Sequence, residues 1–325
     1  MKTHRPNDDG DDTMNHHLLV AEFLATPWAL MPERLNAVAA VLARWSQDVP
    51  AGEDVFVGIG ADRAVREARR QAATAVSSGG IAVLPLYGVV TQRGNMVDDV
   101  SGPGSVSTQQ FASALRQALA DDSVSQILID IDSPGGSVYG VSELADEIVS
   151  ARAQKPVVAI ANSLAASAAY WIGCSASEFY VTPGGEVGSI GVWQAHFDYS
   201  QAFVTKGVKP TLISAGKYKV EGNPYVPLDE DAQSFMQSRV DDYYATFTKA
   251  VARGRGVPIG QVREGMGQGR VLGADAAKAQ GMIDGVVTFD DVVRKMRRDA
   301  RSNGRPTVSR LTQAQRELDI LGTRA

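Results

Sequence analysis

Two short apolar runs, each ending in a turn of small residues, constrain this chain more than any other feature. Gln126–Ile131 (QILIDI) runs into Asp132-Ser133-Pro134-Gly135-Gly136, and Pro156–Ile160 (PVVAI) leads through Asn162–Tyr170 (NSLAASAAY). Continuous β-branched runs fit strands covered on both faces. Helical patterns follow at Val141–Arg152 and Ala168–Ser175, and Phe111–Leu119 is helical as well. Ile81–Val90 and Glu178–Val181 add strand-like runs. Strands alternating with helices predict an α/β fold with a mainly parallel sheet and flanking helices.

The rest of the chain divides around this block. Residues 1–15 read as a disordered N-terminus. Residues 16–80 read as an N-terminal helical region, with two short helices split near Pro27 and Pro32. The α/β domain takes residues 81–292. Within it, Val208–Ile213 reads as a further strand, about Asp229–Gly254 as a long helix and Ala274–Gln280 as a shorter one. Residues 293–325 read as a charged helical or flexible tail, and no core stripe is evident after 286.

Composition removes several function classes. The 325 residues are 44% hydrophobic and 21% charged, which suits a packed core. A net charge of −5 argues against nucleic acid as partner. The basic clusters Arg63–Arg70 and Arg294–Arg301 read as solvated faces or partner contacts. The single cysteine, Cys174, excludes an intrachain disulfide and lies in an apolar run that reads as inert core. The start is acidic, and no run of 18 apolar residues occurs. Neither a signal peptide nor a membrane helix is expected, so a soluble, cytoplasmic protein is.

Small residues at the two strand–turn–helix junctions leave backbone N–H groups free and let another chain approach. Ser167, at the head of a helix, stands where an oxyanion would meet such donors. A serine nucleophile needs a base. His4, His16 and His17 lie in the polar N-terminal region, which leaves His196 or a lysine. Lys219 sits among Gly216, Tyr218, Val220, Gly222 and Pro224 after an apolar run. Taken singly, each residue also has a plain reading: Ser167 as a helix N-cap, Gly135-Gly136 as a turn, Lys219 as a surface lysine.

Together these segments resemble the signal peptide peptidase A family of serine proteases, relatives of ClpP in the crotonase-like superfamily. The resemblance covers about Ile81 to Val292. It rests on Asp132–Gly136, Ala165–Trp171, Thr182-Pro183, Gly188–Val192, Ser214–Lys219, Gly269–Val271 and Gly281–Asp284. It implies a ClpP-like protease domain with Ser167 as nucleophile and Lys219, 52 residues on, as base. It implies that Ser189 orients the lysine, and that the N–H groups of Gly136 and Ala168 form the oxyanion hole. Many members have Gly-Gly after the nucleophile, where this chain has Ala168-Ala169, and Lys217 is a second lysine in the motif. No cofactor or metal is called for. Members form rings in which the lysine can come from a neighbour, and the long helix is a natural interface.

The opening, with Phe23–Leu30 (FLATPWAL), resembles the phage head maturation branch of the family. That implies scaffold, capsid or portal proteins as substrates, and the host cytoplasm or procapsid interior as location, with no nucleic-acid or membrane partner. Substrate would lie extended along a sheet edge at Gly135 and Gly136. Other readings stay open: a cytoplasmic peptide-degrading bacterial protease, a Ser-His-Asp site using His196, an acyl-CoA enzyme of the crotonase type, and a non-catalytic capsid scaffold.

Overall fold

The computed structural model describes residues 27–31, 80–93, 105–205 and 207–303. The expected disordered N-terminus, nearly all of the N-terminal helical region and the end of the tail lie outside them. In chain order the strands are β1 (Trp28–Leu30), β2 (Ile81–Tyr87), β3 (Val89–Thr91), β4 (Ser105–Ser107), β5 (Gln126–Ser133) and β6 (Gly135–Ser137). They continue with β7 (Val157–Ala166), β8 (Glu178–Val181), β9 (Glu186–Gly188), β10 (Val271–Gly273) and β11 (Gly285–Val286).

The main sheet has the order β10-β9-β7-β5-β2, with β8 beside β7 and β11 beside β8. Every pairing in it is parallel except β9–β10. β7 is the pivot. Its first half pairs with β8 and its last three residues with β9, which delivers the chain to Ser167 beside Gly188. A smaller sheet, β1-β6-β3-β4, grows from the turn after β5. The mainly parallel α/β architecture is the one read from the sequence.

The unbroken apolar runs have a direct cause. Ile127, Ile129 and Ile131 of β5 and Val157, Ala159 and Ala161 of β7 join the core under helices Thr108–Ala120 and Val141–Ala151. The intervening Leu128, Val158 and Ile160 face the opposite way, with Ile81 and Val83, onto Val292, Val293 and Met296. Each strand buries both faces, so both are mostly apolar, and a buried exception on β5, Asp130, accepts from the Tyr87 hydroxyl.

Three readings are corrected. The segment after 286 does carry a core stripe: Val292, Val293 and Met296 of helix Phe289–Asn303 cover the back of the sheet. Charged neighbours dilute that stripe in the sequence. Val208–Ile213 is not a strand. It is irregular and has no sheet partner among the described residues, Ile213 is 96% exposed, and Pro210 supplies no ladder N–H. Between Pro27 and Pro32, where two helices were expected to break, residues 28–30 form a strand.

The long helix is Glu230–Arg255. Asp229 caps it by accepting from the Ala232 N–H at 2.8 Å, and Gly256 ends it in the left-handed conformation. Only its C-terminal part packs on the core. Trp171 stacks on Phe247 at 4.7 Å, and a Cβ at Gly254 would stand 2.2 Å from the Cys174 carbonyl oxygen.

Candidate active site

The turn after β5 is tied from within. Ser133 Oγ donates to the Gly88 carbonyl at 2.6 Å and accepts from the Gly135 N–H at 3.2 Å. Gly135 has φ +95°, and a Cβ there would lie 2.3 Å from the Ala29 carbonyl oxygen and 2.9 Å from Ser167 Cβ. At Gly136 a Cβ would stand 1.9 Å from the Val90 carbonyl oxygen. Both positions require glycine, because backbone and the serine turn fill the space of any side chain.

Ser167 joins β7 to helix Ala168–Gly173. Its φ of 56° and ψ of −117° cost a non-glycine residue about 1–3 kcal/mol. It occupies the N-cap position, yet its side chain makes no capping hydrogen bond. Oγ points instead to the Gly191 carbonyl oxygen at 3.5 Å. That removes the plain reading of Ser167 as a helix cap. The residue is 1% exposed. The Ala168 N–H opens the helix and has no helical acceptor.

The neighbouring motifs brace this turn. The Ser167 N–H donates to Gly188 O at 2.7 Å, and the Ser189 N–H donates to Arg270 O at 2.8 Å. Gly188 pairs with Ala166 on one side and Val271 on the other. Ser189 also has a positive φ, 54°, and is buried. Its hydroxyl has no hydrogen-bond partner among the described residues. The Gly281–Asp284 motif holds the far side. Tyr170 Oη donates to Met282 O at 2.9 Å, and Asp284 accepts from the Phe179 N–H at 2.6 Å and from both ends of the Arg255 guanidinium. Burial works against the Asp284 carboxylate, but the Arg255 and Phe179 hydrogen bonds outweigh it and hold the group below the usual carboxylate range.

The structure gathers Ser167, Gly135, Gly136, Ala168 and Ser189 in one place. It does not bring Lys219 to them within one chain. Lys219 is exposed, in a turn around Gly216 on the irregular stretch 207–229, and its ammonium has no hydrogen-bond or ionic partner among the described residues. Lys217 Nζ rests on Tyr218 Oη at 2.7 Å. His196 is half-buried, and its Nε2 faces Asn223 O at 3.2 Å. Burial pushes the Cys174 thiol up to about 12, so the buried cysteine stays a neutral thiol. Sequence reasoning missed Gly191, Arg270 and Trp193 as parts of the site. They act through backbone groups or through β1, and only Gly191 and Arg270 lay inside quoted motifs.

A buried serine on a strained strand-to-helix turn, with a Gly-Gly turn against it on a mainly parallel α/β fold, is an arrangement that suits a serine hydrolase. Residues 150–303 match the model of Peptidase family S49. It is 35% identical over 256 residues to "Capsid assembly protease C" of Escherichia phage lambda, covering 78% of this chain and 57% of that one. It is 34% identical over 226 residues to "Head-tail preconnector protein GP5" of Enterobacteria phage P21, covering 70% and 44%. It is 31% identical over 208 residues to "Protease 4" of Salmonella typhi, covering 64% and 33%. The chain thus spans about half the length of the two phage relatives. No helix among the described residues is long and apolar enough to cross a membrane.

Proposed function

We propose that this chain is a serine endopeptidase of phage head maturation, with Ser167 as nucleophile and Lys219 as general base. The observation that carries the reading is Ser167 itself: buried, strained, released from capping and set against the Gly135-Gly136 turn. Strain at a non-glycine residue persists where the surrounding fold imposes it, and such residues cluster at active sites.

In this reading neutral Lys219 takes the Ser167 proton as Oγ attacks the scissile carbonyl. The Gly136 and Ala168 N–H groups receive the oxyanion. The Lys219 ammonium then protonates the leaving amine, and water resolves the acyl-enzyme. Ser189, with its hydroxyl unspent, would orient the ammonium. A lysine serves as base at ordinary pH only when desolvated, and the chain alone leaves Lys219 in water. The dyad is therefore completed between protomers of a ring. The surface around Lys219 supports this. Among the described residues, nine of the ten exposed large hydrophobic side chains fall between Tyr199 and Phe235, a concentration that suits an interface.

The phage relatives favour scaffold, capsid or portal proteins as substrates, in the host cytoplasm or procapsid. Incubating head and scaffold proteins with wild type and with Ser167→Ala, and weighing the products, tests the reading. Discrete fragments with wild type alone support it; identical masses in both samples refute it.

A further inference from the structure

The sheet edge expected to receive substrate is filled by the chain itself. β1 lies antiparallel on β6, with Ala29 opposite Gly136 and Leu30 opposite Gly135. The pairing extends beyond the strand at both ends: the Met31 N–H donates to Pro134 O at 3.2 Å, and the Val138 N–H to Pro27 O at 3.4 Å. The other edge of β1 meets Trp193. The Trp28 N–H donates to Trp193 O at 2.8 Å and the Trp193 N–H to Trp28 O at 2.9 Å. The indole Nε1–H donates to Leu30 O at 2.9 Å. Trp28, Ala29 and Leu30 are 3%, 0% and 2% exposed. One ideal Cβ at Gly135 would touch both the Ala29 carbonyl oxygen and Ser167 Cβ, so this carbonyl lies beside the nucleophile.

An extended segment held by main-chain hydrogen bonds on both edges, with its side chains buried, is how a groove binds peptide by strand addition. Both walls belong to the site: Gly135 and Gly136 on one side, and Trp193, two residues after the Ser167 acceptor Gly191, on the other. We propose that residues 27–31 are an intramolecular occupant of the substrate groove, which must leave before a peptide from another molecule can be cut. The proposal rests on the peptidase reading. It also names the ligand class: an extended peptide with a small residue, as Ala29, between bulky apolar ones. A tethered occupant competes at an effective concentration in the millimolar range, so it holds off dilute substrates and yields to concentrated ones, as within an assembly.

The test uses the full chain and an internally quenched peptide carrying Thr26–Pro32. The double variant Trp28→Thr/Leu30→Thr weakens the occupant while keeping strand-forming residues. It should raise kcat/KM for the peptide at least about fivefold, through a lower KM, with a lower melting temperature that still leaves the protein folded at the assay temperature. In Ser167→Ala, which cannot consume the peptide, excess peptide should speed hydrogen exchange at the amides of 28–31. Unchanged kcat/KM in a folded variant, or amides that stay protected while peptide is bound, overturns the proposal. If the variant does not fold, the exchange measurement decides alone. Equal activity before and after loosening sinks this inference and leaves the peptidase standing. No cleavage by either chain, with no labelling of Ser167 by a fluorophosphonate, removes both.

Discussion

Ser167 adopts a backbone conformation that glycine reaches without strain, and its hydroxyl stabilises nothing in return: it neither caps the helix nor makes more than a long contact to Gly191 O. Ser167→Gly should therefore leave the melting temperature equal to or above that of Ser167→Ala, by up to about 1–2 kcal/mol of stability, while abolishing cleavage equally. Thermal melts of the two variants check this. A glycine variant clearly less stable than the alanine variant would mean that the conformation carries no strain. The sequence exposed Ser167 through the company it keeps, Pro134–Gly136 upstream and Ser189 downstream. It could not show that the hydroxyl is withheld from the cap, because capping and nucleophilic serines occupy the same position in a strand–turn–helix pattern. Trp193 was invisible for a related reason. Its part is played by backbone groups and an indole N–H toward a strand 163 residues away in sequence.

At the scale of elements, strands buried on both faces were plain in the sequence, since Ile127–Ile129 of β5 and Val157–Ala161 of β7 run without a polar residue. Val208–Ile213 shows the limit of that signal. A β-branched run becomes a strand only beside a partner, and none is present among the described residues. Helix Phe289–Asn303 fails in the opposite sense, with three core residues hidden among charges. The joint between the long helix and β11 rests on Arg255 and Asp284, an ion pair whose arginine side chain is only 8% exposed. Because the folded Asp284 carboxyl is held below its unfolded value, its contribution is present above the unfolded value of about 4 and is lost as pH falls through the lower folded one. Asp284→Asn should cost about 1–3 kcal/mol at pH 7, and less at a pH acidic enough to protonate the folded carboxyl. Denaturant titrations at both pH values test it, and an equal loss at both would assign the effect to packing instead.

For the whole molecule, half of the proposed chemistry is built and half is displayed outward. Ser167, the Gly-Gly turn and Ser189 are held by strand pairing and by hydrogen bonds within a single chain, the Ser189 N–H bonding to Arg270 O. Lys219 stands on an exposed stretch with several apolar side chains facing water, just before the N-terminal half of the long helix, which buries only Ala232. A surface of that composition is stable in a closed assembly, where a repeated heterologous contact covers each copy with its neighbour. The order of motifs made the dyad legible. The proposed sharing of that dyad between protomers came from the resemblance alone, because a linear sequence does not record which copy a residue serves.

The most direct test of the dyad mixes two inactive chains. Ser167→Ala and Lys219→Ala should each lose at least about 1,000-fold in the rate of peptide cleavage. When the two are allowed to exchange subunits in equal amounts, about a quarter of sites combine an intact serine with a neighbour's intact lysine, and activity should return to about that fraction of wild type. Recovery from two dead chains is the result this account requires. Full activity in Lys219→Ala alone, or no recovery in a mixed assembly, would contradict it.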